Sequence, residues 1–215
     1  MSPISANLSQ TAVVEPGQEN ERLNSSAAEA EPRRTMFLAS IPSDLSRRED
    51  AIQGVLSLEN ASPRSKLRKI YRLIEEFSNL SAPFVACKKG CSSCCHMNIA
   101  IWRVEADYIG KQAGRSPARI LNTRAHRLEE FIGKPCPFLR EDTCTIYQFR
   151  PYVCRKHVSF DTTPYWCEPS RALTVSVPKV HFSGIDNALA TLTGKTSSDI
   201  FADIRDFFPD TQFIE

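Results

Sequence analysis

The 215-residue sequence contains no apolar run approaching the roughly 18 residues of a membrane span, which argues against a membrane partner. Met1 to Gln18 hold neither a basic stretch nor an apolar segment of about seven residues or more. Nothing there reads as an export signal, and the cytoplasm is the expected compartment. Charge of one sign is also scarce: 27 Lys and Arg face 25 Asp and Glu, for a net charge of +2. Composition therefore points to neither a nucleic-acid partner nor an acidic tail. There is no glycine-rich nucleotide loop, no internal repeat, and no aromatic residue before Phe37.

What is present divides unevenly along the chain. Residues 1 to 36 hold five serines with scattered alanine, proline and glutamate, too little apolar surface to offset the entropy of ordering. This stretch is expected to be a disordered leader, followed by a single domain over 37–215. Its uncharged first fourteen residues, with Ile4 near the start, resemble the amino-terminal signals of bacterial type III secreted proteins. Secretion is thus the alternative to a cytoplasmic location. The remaining length, in a chain that is 41% hydrophobic, suffices for a core that needs no disulfide staples.

The fold class expected is mainly α: a small helical domain organised around a cysteine-ligated metal site, with irregular loops and little β. Ser46-Arg-Arg-Glu49 has the form of a capping box ahead of Ala51, Ile52, Val55 and Leu56. Ser62-Pro63 opens a second helix with Leu67, Ile70, Tyr71, Ile74 and Phe77 on one stripe, and the two helices should pack together. Lys66, Arg68, Lys69 and Arg72 lie off that stripe and read as a solvated face. Asn98 to Trp102 reads as extended, and Val104 to Ala113 as a helix ending at Gly114. Ser116-Pro117 should start another helix with Leu121, Ala125, Leu128 and Ile132 buried, closed by Gly133 and Pro135. Ala172 to Val177 alternates like a short strand. Ile185 to Leu192, and Ile200 with Phe201, Ile204 and Phe207 up to Pro209, have helical spacing.

Eight cysteines carry the chemistry. Cys87, Cys91, Cys94 and Cys95 are spaced C-x3-C-x2-C-C, and Cys136, Cys144, Cys154 and Cys167 are spaced C-x7-C-x9-C-x12-C. Packing needs no such cluster, because a structural cysteine is a small hydrophobe that valine or alanine can replace. The alternatives are disulfides and metal. A cytosolic chain keeps its thiols reduced, and adjacent residues such as Cys94 and Cys95 are poorly placed to bridge each other, so metal is preferred. The C-x2-C step of Cys91 and Cys94 suits a tetrahedral ion with metal–sulfur bonds of about 2.3 Å. Side chains of neighbouring residues diverge by about 100° on a helix, so Cys94 and Cys95 should serve different ions or different corners of a cluster. Eight thiolates allow two four-cysteine sites, or one iron-sulfur cluster with ligands to spare.

His96 and His157 stand beside cysteines and are possible additional ligands or plain surface histidines; His126 and His181 receive no role. Four thiolates on a divalent ion leave a charge of −2 to be offset. Lys88, Lys89, Arg150, Arg155 and Lys156 flank the ligands, and Pro151 should hold Arg150 and Arg155 close to Cys154, to neutralise the site or to bind an anion. Phe138, Ile146, Tyr147 and Phe149 should wall off water.

Taken together, Gly90-Cys91-Ser-Ser-Cys94-Cys95, Glu105-Ala106, Cys136-Pro137-Phe138-Leu139, Cys144-Thr-Ile146-Tyr147 and Arg150-Pro151-Tyr-Val-Cys154-Arg155 resemble the CxxCxxCC, or YkgJ-type, cysteine-cluster family over about residues 84 to 170. The family name implies two residues between the first pair of cysteines, where this chain has three, and Cys167 falls outside the strongest motif. The resemblance implies a mostly bacterial domain that chelates zinc or iron. It also extends to part of the flagellin lysine N-methylases, which are much longer. Three functions are therefore open: a metal-binding protein whose site holds the domain together or does redox or sensing work; a metalloenzyme with an open coordination position and a cleft near Arg150 and Arg155; and a nucleic-acid-binding zinc module supported only by the basic helix face. The first is preferred. A structural site further implies that stripping the metal collapses the helical signal.

Overall fold

The computed structural model describes residues 16–173, 177–193 and 200–209. Their regular elements run, in chain order, α1 (Pro16–Ser40), α2 (Ser43–Leu58), α3 (Pro63–Ser81), β1 (Ala100–Trp102), α4 (Arg103–Ala113), β2 (Leu139–Arg140), β3 (Thr143–Cys144), α5 (Tyr152–Lys156), α6 (Ser183–Thr193), β4 (Phe201–Asp203) and α7 (Ile204–Phe207). The fold is mainly α, with two small antiparallel pairs, β1 with β4 and β2 with β3. Among the described residues no helix is long and apolar enough to cross a membrane.

α3 forms as its sequence dictates. Ser62 Oγ accepts from Ser65 N at 3.3 Å, Pro63 fills a first-turn position that needs no donor, and the whole expected stripe is buried. Each of those side chains contributes about 1.5–3 kcal/mol by leaving water. Arg68 and Arg72 on the other side are exposed, and Lys69 pairs with Glu59. α2 starts earlier than expected, after Pro42, so Ser46 lies inside it. Glu49 does not cap its own helix. It is buried, and its Oε1 accepts from Ile185 N at 3.0 Å, satisfying a free donor at the start of α6. α2 consequently packs mainly on α6 and only lightly on α3. Its buried residues are Leu45, Glu49 and Leu56, whereas Ala51 and Val55 face solvent. Gly184 makes the contact possible, since a Cβ there would stand 1.9 Å from Glu49 O.

The leader expected over residues 1 to 36 is helical from Pro16 onward, and its first fifteen residues lie outside the described ones. The helix is anchored where aromatics begin: Phe37 is 1% exposed between Phe84 and Phe160, Ala30 is buried one face-repeat earlier, and Arg33 Nε donates to Phe84 O at 3.0 Å. These contacts supply burial that composition alone does not reveal. With α2, α3, α6, Tyr152 and Phe160 they make up one core.

A second core gathers Ile99, Ile101, Ile109, Phe138, Ile146, Ala202, Ile204 and Phe207, with Cys136 inside it. β1 is extended as expected, and α4 ends at Gly114 in the left-handed conformation, φ 65°. The helix expected from Ser116 to Ile132 does not form, and Leu121 and Leu128 are exposed. The backbone there bonds outward instead of to its own preceding turn: Ala118 N to Phe207 O, Arg124 N to Phe201 O, and Gly133 N to His96 O. The last expected helix is half strand, because Phe201–Asp203 pairs with Trp102–Ala100 before α7 turns. Asp203 starts that turn, accepting from Arg205 N at 2.9 Å. The helix expected near Ile185 is α6. The strand expected over 172–177 falls partly outside the described residues, and Ala172 and Leu173 lie in a turn.

Candidate metal centre

The first cysteine run is a loop, not a helix. Gly90, at φ 92°, turns the chain before Cys91, and Ser93–His96 form a single 3-10 turn that carries Cys94 and Cys95. The second run starts on a tight hairpin. Leu139 pairs with Cys144 across β2 and β3, and the two residues of the turn, Glu141 and Asp142, both have positive φ. Ser92 Oγ donates to Asp142 Oδ1 at 3.1 Å, tying the hairpin tip to the first loop. Cys136 N donates to Cys95 O at 2.7 Å and joins the runs directly. α5 then presents Cys154, and a 3-10 turn over Tyr165–Cys167 presents the last cysteine.

The two runs meet around two adjoining cavities. Cys87, Cys91, Cys94, Cys95, Cys136, Cys144 and Cys154 line a space of about 380 Å³, together with Tyr147, Arg150, Arg155, Lys88 and Lys89. Cys94 and Cys154 also face a second space of about 430 Å³, on which Cys167 opens. All eight thiols are free of disulfides. They are sorted by their neighbours: Cys87 Sγ accepts from Ser159 N at 3.3 Å, and Cys167 bonds the Ser159 side chain, whereas Cys95, Cys144 and Cys154 pack with Cys136 in the second core.

Burial pushes the thiols up, to about 11 at Cys87 and Cys167 and about 12 at Cys136, and well above the ordinary range at Cys154. Cys94 is raised first by its hydrogen bond with Cys95 and then by burial. Without a cation these groups are neutral thiols near pH 7. Among the described residues no group of three or more His, Cys, Asp or Glu side chains is already gathered into a metal-holding arrangement. The donor set nevertheless fits zinc or iron by its chemistry: soft sulfur ligands from both runs, in shared cavities, with cations beside them.

Arg150 is 8% exposed, stacks over the Tyr147 ring at 4.0 Å, and exerts a downward pull on Cys87, Cys94 and Cys144. Arg155 lines the same cavity but is occupied elsewhere. Its Nε donates to Arg150 O at 2.8 Å, Nη2 to Gln148 O at 2.7 Å, and Nη1 pairs with Glu75, while the guanidinium stands over Tyr71. Its work is to fix the turn before α5. Phe138 and Ile146 are buried and Phe149 half-buried, whereas Tyr147 is 38% exposed and covers Arg150 instead of walling off water. His157 lines both cavities and is exposed; His96 lines neither, and its Nδ1 lies 3.3 Å from Ser92 O.

Two supports escaped sequence reasoning. Glu105 is 2% exposed and accepts from Tyr71 Oη and Tyr152 N at 2.8 Å and from Trp102 N at 3.1 Å, so one carboxylate holds the starts of both α4 and α5. Burial pushes its carboxyl above the usual range against the pull of those donors. Arg205, far from any cysteine in sequence, reaches the carbonyls of the first loop. Its sequence position, a polar place in an amphipathic pattern, gives no signal of this.

No curated protein and no solved structure matches the chain. Residues 86–168 match the CxxCxxCC family, described as a candidate zinc- or iron-chelating domain. The cysteine-bearing segment of this chain is thus similar to the CxxCxxCC family over residues 86–168, the family its motifs resemble.

Proposed function

We propose that this chain is a thiolate metal-binding protein whose cysteines hold zinc or iron at two neighbouring positions. One observation carries the reading: seven cysteines from both runs line a single cavity, and the eighth opens on the adjoining one. Cys87 and Cys167, which both bond Ser159, make one ligand group with Cys91 and Cys94, whose charges bear on Cys167 next after that of Cys87, and Cys95, Cys136, Cys144 and Cys154, packed in the second core, make the other. Bound there, the ion supplies the charge that keeps the sulfurs as thiolates and a cross-link between the loops. The chain's own residues do the remaining work. Arg150 offsets thiolate charge, Phe138 and Ile146 exclude water, and Glu105 with Arg155 sets the placement of Cys154.

The test is anaerobic purification followed by metal analysis and a visible spectrum. Stoichiometric zinc in a colourless protein, or iron with sulfide-labile absorbance, supports the reading. Protein that retains neither ion, takes up neither from solution, and keeps all eight thiols open to a thiol reagent overturns it.

A second reading, a metalloenzyme with an open coordination position, is favoured by one feature. Seven of the thiols share a cavity of about 380 Å³ with Lys88, Lys89 and Arg150, leaving room for an anionic ligand beside the sulfurs. A coordination sphere one sulfur short of closure, read by X-ray absorption on the loaded protein, supports it; a closed four-sulfur sphere at each ion rejects it.

A further inference from the structure

We infer that Arg205 is a positioning residue for the metal centre: from beyond the CxxCxxCC segment, it fixes the spacing of the two cysteine runs. This rests on the metal-binding reading above. The side chain is 12% exposed, and its guanidinium donates to four carbonyls. Nη1 reaches Met97 O at 3.2 Å, Nη2 reaches Cys95 O at 3.3 Å and also Lys134 O, and Nε reaches Pro135 O at 3.1 Å. Two of these belong to the loop that carries Cys94 and Cys95, and two to the segment entering Cys136. Four carbonyl oxygens converging on one point repel one another unless a cation with several fixed donors sits among them. The planar guanidinium meets that need and a point charge does not.

The clamp is itself held. Asp203 Oδ1 accepts from Arg205 N and Nη1, each at 2.9 Å, and the Phe131 ring lies 4.9 Å from the guanidinium carbon. Asp203 is 2% exposed and its Oδ2 takes the Ile99 N–H at 2.7 Å, so the anchor is fastened to the end of the first loop as well. Cys95 O is the junction, receiving both Arg205 Nη2 and Cys136 N. The distance between Cys95 and Cys136, which belong to the same proposed ligand group, is thereby set by a residue that contributes no sulfur.

Arg205→Lys and Arg205→Gln test this in the full chain with two readouts. The first is affinity for zinc(II), titrated against a chromophoric chelator. The second is the labelling rate of each cysteine in the metal-free protein, read by mass spectrometry. Both variants are expected to lose about ten- to a hundredfold in zinc affinity. Cys95 and Cys136 are expected to label about tenfold faster or more, while Cys87 and Cys167 keep their wild-type rates. Full affinity in Arg205→Lys overturns the inference, because charge alone then suffices. Equal acceleration at all eight cysteines overturns it too, since that is general loosening. If the wild type takes up neither zinc nor iron, the metal-binding reading fails by itself and the contrast in labelling still decides whether Arg205 sets the loops. If neither variant folds, hydrogen exchange on the wild type decides: zinc should slow the amides of 203–208 along with 94–97 and 134–137, and unchanged exchange over 203–208 overturns the inference.

Discussion

His126 had no assignable role in sequence, yet its ring joins two parts of the fold. Nε2 lies 2.7 Å from Asp206 Oδ2 and Nδ1 lies 2.9 Å from Glu130 Oε1. Burial disfavours the imidazolium, but hydrogen bonds to the two carboxylates outweigh it and raise the pKa above the ordinary 6.5. A folded-state value above the unfolded one stabilises the native state fully below about pH 6.5 and loses that effect as pH rises through the folded value. Wild type should therefore exceed His126→Asn in stability by a few tenths to about 1 kcal/mol at about pH 5.5 and lose that lead by about pH 9. Urea unfolding at both pH values measures it; an unchanged gap would show that the carboxylates do not favour the charged ring. Glu105 makes the same point about legibility. It stands in the sequence as half of a two-residue motif, and only the folded chain shows that Tyr71, Trp102 and Tyr152 all donate to it.

At the scale of elements, helices with their own amphipathic stripe and cap were legible: α3, α4 and α6 lie where spacing, Ser62 and Gly114 place them. Segments whose backbone partners are distant were not. Residues 116–132 have helical spacing, but their N–H groups find α7, β4 and the first cysteine loop, and long-range pairing prevails over local periodicity. The hairpin of β2 and β3 was hidden for a different reason. Its turn places Glu141 and Asp142 at positive φ, where Asn-Gly is the usual signal. The contact of α2 with α6 gives a direct prediction. Gly184→Ala drives a methyl into Glu49 O, a backbone atom that cannot swing away, and also disturbs the Glu49 bond to Ile185 N. The expected loss is about 1–3 kcal/mol, read as a lower melting temperature. A variant as stable as wild type would mean that the two helices can separate at little cost.

For the whole molecule, the separation of two cores decides what metal removal does. The core of α1, α2, α3 and α6 contains no cysteine, whereas Cys136 lies inside the other with Cys95, Cys144 and Cys154 packed on it. Chelation should therefore leave most of the far-ultraviolet helical signal in place and speed hydrogen exchange over 87–98 and 134–156. Complete loss of helix on chelation would show that the first core cannot stand alone. The expectation that stripping the metal collapses the helical signal holds only for a structural site on which the helices depend, and cysteine spacing reveals nothing about how apolar residues partition between the two cores.

The side chains around the cavity lined by seven cysteines bear on how an ion gets in. Lys88 and Lys89 are exposed on its lining, and Arg150 stands behind them. A bare dication approaching from water climbs a positive field, whereas one carried by anionic donors descends it. Added salt should then hasten uptake of free zinc and slow its transfer from a negatively charged chelate, so that delivery hand to hand is favoured over capture from solution.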